Sequence, residues 1–184
     1  MNKVNTNIIF KKTTDRHNVV CPPEQVFVKS EFDFLLTIGG DLVKDEYEYE
    51  KFIERLKLNG ETEFFILENI GATTTERNTP FQTTINLDDN YSKFQEKVGA
   101  FEPPFGWTIH HFFIYGQKDN WGIYICEYPT INIIGCTEEL SDEFRQVFSI
   151  KNNGYDKLKE FLKKEYETKP ELLNELIKNY RLEK

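Results

Sequence analysis

The stretch HFFIYGQKDNWGIYICEYPTINIIGC, residues 111–136, decides the fold of this chain. Three apolar segments, His111–Tyr115, Trp121–Cys126 and Ile131–Cys136, are rich in the aromatic and β-branched residues that favour strands. They are separated by only five and four residues. Connections this short cannot join parallel strands, because a parallel crossover needs about a dozen residues or more. The stretch therefore predicts a three-stranded antiparallel meander.

The segments on either side of the meander predict further strands and several helices. Apolar residues at positions 49, 52, 53 and 56 form one helical stripe, so a helix is expected over about 45–58. Asp45 with Glu48 resembles a capping box, and Asn59-Gly60 is a stop signal. A short helix is expected from Asp88-Asp89 to Gly99, and three helices follow the meander, the first capped by Thr137 and the last by a Thr168–Glu171 capping box. Strands are expected at Val26–Val28, Phe32–Ile38, Glu63–Ile70 and Phe81–Leu87, with a short one at Asn7–Phe10.

Strands that cluster rather than alternate with helices indicate the α+β class. We expect a twisted, mostly antiparallel sheet with helices packed mainly on one face and helices at the C-terminal end. The 184 residues form one domain of ordinary size, and 16 Phe, nine Tyr and two Trp provide a sizeable core. The polar residues 1–25 are expected to form an arm or edge segment.

The sequence also predicts a cytoplasmic protein. No apolar run approaches the roughly 18 residues that cross a bilayer, and residues 1–12 lack a secretory signal. The three cysteines, Cys21, Cys126 and Cys136, cannot all pair within the chain, which favours a reducing compartment and buried thiols.

Negative charge is concentrated in the middle of the chain. The net charge is −8, but residues 1–30 carry +3, residues 31–150 carry −13 and residues 151–184 carry +2. Such a surface repels nucleic acid and anionic membranes and favours a basic protein partner. The alternative is that the charge only keeps the protein soluble.

No motif for catalysis, metal or cofactor stands out. Cys126 could pair with His110 or His111, but no activating third group is apparent, so a core cysteine is expected. Cysteine and histidine spacings do not match a metal site, and Gly39-Gly40 lacks a phosphate-binding pattern and predicts a turn. Two alternatives stay open: a hydrolase with an unrecognised acid–base pair, and a small-ligand-binding domain with aromatic residues around a cavity.

The best candidate for a functional surface is the acidic stretch DLVKDEYEYE, residues 41–50. Carboxylates beside tyrosines suit a protein interface, because the charges steer a basic partner and the rings supply contact area. A solvated helix start is the alternative. The turn before Trp121 and the loops Pro103–Trp107 and Thr73–Thr79 are further candidates, and Trp121 is either an exposed anchor or a core residue. The predicted partner-binding residues are Asp41, Asp45, Glu46, Tyr47, Glu48, Glu50, Asp119 and Trp121.

The stretch Phe112–Ile125 resembles a hairpin of the SUKH group of bacterial immunity proteins, in which an aromatic strand ends in glycine before a short polar turn. The chain is also similar in size, acidity and α+β build to immunity proteins of bacterial polymorphic toxin systems. This resemblance implies tight, stoichiometric binding to a toxin domain without turnover. The resemblance assigns no role to any individual residue. The expected function is therefore that of a non-enzymatic protein-binding module without cofactor.

Overall fold

The computed structural model describes residues 6–11, 20–72, 79–101, 110–150 and 154–182. Within them the chain forms an α+β fold, as the sequence predicts. The strands are β1 (Asp33–Ile38), β2 (Glu63–Glu68), β3 (Gln82–Asn86), β4 (His111–Gly116), β5 (Trp121–Glu127) and β6 (Thr130–Cys136). The helices are α1 (Glu46–Leu58), α2 (Tyr91–Gly99), α3 (Glu138–Val147), α4 (Gly154–Glu165) and α5 (Pro170–Asn179).

All six strands belong to one antiparallel sheet with the order β1-β6-β5-β4-β2-β3. The predicted meander forms its centre. In the register, His111 opposes Cys126 and Trp121 opposes Cys136. Strands β4, β5 and β6 lie inside the sheet, and an apolar core covers each of its two faces. Burial on both faces explains the nearly continuous apolar sequence of these strands.

The sheet separates two apolar cores. Alternate residues of β5 point to opposite faces, so Ile123 and Ile125 join one core while Tyr124 and Cys126 join the other. The first core is covered by α1, α2 and α3, and the second by α4, α5 and the N-terminal segment. Three of the described helices therefore share one face, and the two C-terminal helices lie on the opposite face.

The strands predicted in the N-terminal segment are not formed. Thr6–Ile8 is a short 3₁₀ helix rather than a strand, and Val26–Val28 contributes only an isolated bridge between Phe27 and Phe10. Ile9 and Phe10 are fully buried against the sheet. Among the described residues, these two segments are paired by two hydrogen bonds, from Lys11 N to Val26 O and from Val28 N to Ile9 O, which is too few to form a strand ladder.

The helix ends are determined by local hydrogen bonds. Asp45 accepts a hydrogen bond from Glu48 N at 2.8 Å, which confirms the predicted cap of α1. Gly60 follows that helix in the left-handed region, at φ +77°, as the stop signal requires. The predicted capping box of α5 is wrong, because its N-cap is Lys169 and no side chain caps it. Among the described residues, no helix combines the length and apolar character needed to cross a membrane.

Candidate functional site

The acidic stretch 41–50 divides into structural and exposed carboxylates. Asp45 caps α1, and Glu48 Oε2 accepts a hydrogen bond from Lys44 N at 2.6 Å. Glu48 is 8 % exposed, so its carboxylate serves the start of the helix. It is therefore removed from the predicted contact surface, because a buried capping side chain offers no area to a partner.

Apart from Glu48, the predicted residues of this stretch, including Asp45, lie on the surface. Asp41, Glu46 and Glu50 are exposed, and Tyr47 is 65 % exposed. The ammonium group of Lys51 lies 4.1 Å from the centroid of the Tyr47 ring, a cation–π contact that orients the ring along the outside of α1. This exposed aromatic side chain among carboxylates has the composition expected of a protein contact.

Trp121 is a core residue, and its predicted role as an exposed anchor is corrected. Its side chain is fully buried and packs edge-to-face on Phe52 at 5.8 Å and on Phe144 at 5.9 Å. Its indole Nε1 donates a hydrogen bond to Glu61 at 3.1 Å. Trp121 is buried because its position on β5 points toward α1 and α3 rather than into solvent.

Asp119 is exposed but lies far from residues 41–50. The turn that carries it contacts the end of α1, where Asn120 Nδ2 donates to Asn59 Oδ1 at 3.1 Å. Since α1 has 13 residues, about 20 Å separates this end from the helix start. Asp119 also pairs with Lys29 at 2.7 Å, and this contact lowers the pKa of its carboxyl. The predicted residues therefore do not form one patch.

The structure instead places α3, which begins with two acids, beside α1. The two helices are antiparallel neighbours, joined by ring contacts from Phe52 to Phe144 at 6.2 Å and to Phe148 at 5.7 Å. The start of α3 lies at the end of α1, since Thr137 N donates to Asn120 O at 3.0 Å. Both helices carry exposed carboxylates, and we call this set of six the acidic face: Glu46, Glu50, Glu54, Glu138, Glu139 and Asp142.

Charge is unevenly divided between the two sides of the sheet. The sequences of α1, α2 and α3 contain nine acids and six bases, whereas those of α4 and α5 contain five of each. In the ranges that the structure describes, no ion pair involves a carboxylate of the acidic face. The carboxylates of α3 were not predicted as contact residues from the sequence, because acids in a first helical turn are equally typical of ordinary helix starts.

The cysteine–histidine couple of β4 and β5 has no nucleophilic character. Burial raises the pKa of the Cys126 thiol, whose Sγ donates to Tyr128 O at 3.2 Å. Burial, with a smaller contribution from the neighbouring His110, lowers the pKa of His111 to about 4. A thiol that resists ionisation beside a neutral imidazole cannot act as a thiolate pair near neutral pH. The prediction of a core cysteine is thus supported.

A cleft of about 500 Å³ lies on the same side of the sheet as α1 and α3, between α2 and strands β2, β4 and β5. Its floor is formed by Ile66, Ile114 and Ile125, which are buried. The loop between β1 and α1 forms its rim. Eight further lining residues are apolar or aromatic: Leu42, Val43, Phe81, Tyr91, Phe94, Val98, Phe101 and Phe112.

The loop Pro103–Trp107 and all but the last residue of Thr73–Thr79 lie outside the described residues. Within the part of the chain that is described, no group of three or more His, Cys, Asp or Glu side chains is placed to hold a metal ion. No protein-family model matches the chain, and no curated protein or solved structure shows significant similarity to it.

Proposed function

We propose that this protein is a non-enzymatic binding module that recognises a basic protein partner through the acidic face of α1 and α3. The supporting observation is a repeated like-charge spacing. Glu46, Glu50 and Glu54 follow one another at i, i+4 along α1, and Glu138 and Asp142 do so along α3. Each such pair costs an isolated helix about 0.2–0.5 kcal/mol. A cationic partner would convert this repulsion into attraction.

The position of the acidic face favours recognition. It lies on two helices that are held to the sheet by a shared aromatic core, so its carboxylates are presented without reorganisation of the backbone. Rigid presentation lowers the entropy cost of association. The exposed Tyr47 at the edge of this face adds apolar contact area. Charges of one sign then accelerate encounter with a partner of opposite sign.

In its finer form the proposal is that the partner is a toxin domain and that this chain is a cytoplasmic immunity protein. The support is the hairpin resemblance at Phe112–Ile125 together with the acidic surface. Such a protein would act by occupying the toxin at one-to-one stoichiometry. The proposal needs no reactive group, metal or cofactor on this chain.

Site-specific photo-crosslinking in the native cell tests the proposal. A benzophenone amino acid at position 47 lies beside the acidic face, whereas one at Val28, which is 47 % exposed, lies beyond the opposite end of α1, near the turn that Lys29 contacts. We expect position 47, but not position 28, to capture one basic protein that mass spectrometry identifies. Capture of the same protein only from position 28 would contradict the proposed surface.

A further inference from the structure

We propose that the cleft between α2 and the sheet binds an uncharged aromatic small molecule. The cleft volume of about 500 Å³ falls within the range of roughly 300–1,000 Å³ that is typical of small-molecule sites. This binding would be separate from recognition at the acidic face, because none of the six carboxylates of that face lines the cleft.

Incomplete burial of large apolar side chains points to a ligand. Phe81, Tyr91, Val98 and Phe112 pack against the first core but remain partly exposed where they border the cleft. Apolar surface left in water costs about 25 cal/mol per Å² relative to covered surface. An apolar molecule in the cleft would cover these side chains and recover that free energy.

The ring geometry favours an aromatic ligand. Phe101 and Phe112 meet edge-to-face at 5.2 Å, and Phe81 meets Phe101 edge-to-face at the same centroid distance. On α2, Tyr91 and Phe94 stack at 6.1 Å. The cleft is thus lined by a cluster of aromatic rings, and aromatic pairs gain about 0.5–1.5 kcal/mol beyond the area that they bury.

The charges around the cleft favour an uncharged ligand. Its charged lining residues are Asp41 and Lys44, which are exposed, belong to the rim loop and have opposite signs. Among the lining residues, Gln95 adds one neutral amide and Tyr91 one hydroxyl. An ionised ligand would lose hydration in the apolar interior without a net opposite charge to replace it. A neutral ring system with one polar atom fits this lining best.

Two fluorescent probes with the same ring system separate the preference for an aromatic ligand from the preference for an uncharged one. N-phenylnaphthylamine is uncharged, whereas anilinonaphthalenesulfonate carries one sulfonate. We expect saturable one-to-one binding of the neutral probe, about tenfold or more tighter than binding of the sulfonate. Methyl resonances of Ile66, Ile114 and Ile125 should shift on binding. Absence of saturable binding by the neutral probe, or equal affinity for the sulfonate, would overturn the proposal.

Matched substitutions locate the binding. Val98→Trp places a large side chain in the cleft from a partly exposed helix position, so folding should be retained and the affinity for the neutral probe should fall at least about tenfold. Val28→Trp makes the same change at an exposed position that does not line the cleft and should leave the affinity unchanged. Phe112→Leu keeps the lining apolar but removes a ring, so a smaller loss of affinity is expected. If Val98→Trp folds and binds the probe like the wild type, the cleft is not the site.

Discussion

The indole Nε1 of Trp121 donates a hydrogen bond to Glu61 Oε1 at 3.1 Å, between two side chains that are almost completely buried. Glu61 directly follows the end of α1 and also accepts the backbone N–H groups of Gln117 at 2.7 Å and Lys118 at 3.2 Å. One carboxylate thus connects α1 to the β4–β5 turn. This connection fixes the helix that carries half of the acidic face.

Loss of the Glu61 carboxylate should destabilise the protein strongly. Glu61→Ala leaves two backbone donors and one indole donor without their acceptor, so the free energy of unfolding should fall by about 2–4 kcal/mol. Urea unfolding followed by tryptophan fluorescence and circular dichroism measures this loss. Trp121→Phe closes a double-mutant cycle, in which we expect a coupling of about 0.5–2 kcal/mol. Additive effects of the two substitutions would show that the hydrogen bond carries no stability of its own.

The close packing of the N-terminal segment on the sheet predicts a sharp effect at Gly122. A Cβ at this position would lie 2.7 Å from both Ile9 Cγ2 and Phe10 Cζ. Gly122→Ala should therefore displace that segment and cost about 1–3 kcal/mol in chemical unfolding. Gly99→Ala is the matched control, because a Cβ there meets nothing within 4 Å and alanine favours the helix. Equal stability of Gly122→Ala and wild type would contradict the packing of Ile9 and Phe10.

Asp89 should contribute stability that disappears in acid. Burial acts to raise the pKa of this carboxyl, but hydrogen bonds from Lys93 at 2.8 Å and Lys97 at 2.7 Å outweigh it and lower the pKa to about 2. Because the folded pKa lies below the unfolded value of about 3.9, the stabilisation is complete above that value and is lost as pH falls toward 2. We expect Asp89→Asn to cost about 1–2 kcal/mol at pH 7 after allowance for the exposed lysines.

A pH series of urea unfolding checks this contribution. The difference between wild type and Asp89→Asn should shrink as pH falls from about 4 to 2. Asp88→Asn removes the exposed pair with Lys57 and should change stability by less than about 0.5 kcal/mol. A difference between wild type and Asp89→Asn that is independent of pH would show that the carboxylate charge is not responsible.

Protonation of His111 should lower the stability of the protein over a higher pH range than protonation of Asp89. Its folded pKa of about 4 lies below the unfolded value of about 6.5, so the unfolded chain takes up a proton first as pH falls. Stability should therefore decline progressively between pH 6.5 and 4. The hydroxyl of Tyr124, which accepts a hydrogen bond from Asn69, lies 3.0 Å from His111 Nδ1 and stabilises the neutral ring. Nuclear magnetic resonance titration of the imidazole measures its pKa directly, and a value near 6.5 would contradict this environment.

Patterns confined to a few neighbouring residues predicted the structure well. The short turns around Trp121–Cys126 fixed the antiparallel meander, and the spacing of Asp45 and Glu48 predicted the helix start that the structure contains. These features are set by chain connectivity and by hydrogen bonds within one helical turn. The α+β class followed from them.

Features that depend on contacts between distant segments were not predictable from sequence. The apolar stripe of α5 predicted which side of the helix is buried. It did not predict which face of the sheet Leu176 covers. Burial of Ile9 and Phe10 depends on the space above Gly122, more than one hundred residues later in the sequence. The position of α3 beside α1 likewise depends on the aromatic contact of Phe52 with Phe144. An apolar or acidic pattern identifies a surface, whereas tertiary packing identifies its neighbour.

The association rate with the protein captured from position 47 tests the role of the acidic face most directly. The triple variant E46Q/E50Q/E54Q removes three of its carboxylates, and E160Q/E167Q/E171Q removes the same charge from exposed positions on or between α4 and α5. At low ionic strength, stopped-flow measurement should show an association rate about tenfold lower for the first variant, unchanged stoichiometry and little effect of the second. Equal association rates for the two variants would contradict recognition through the acidic face.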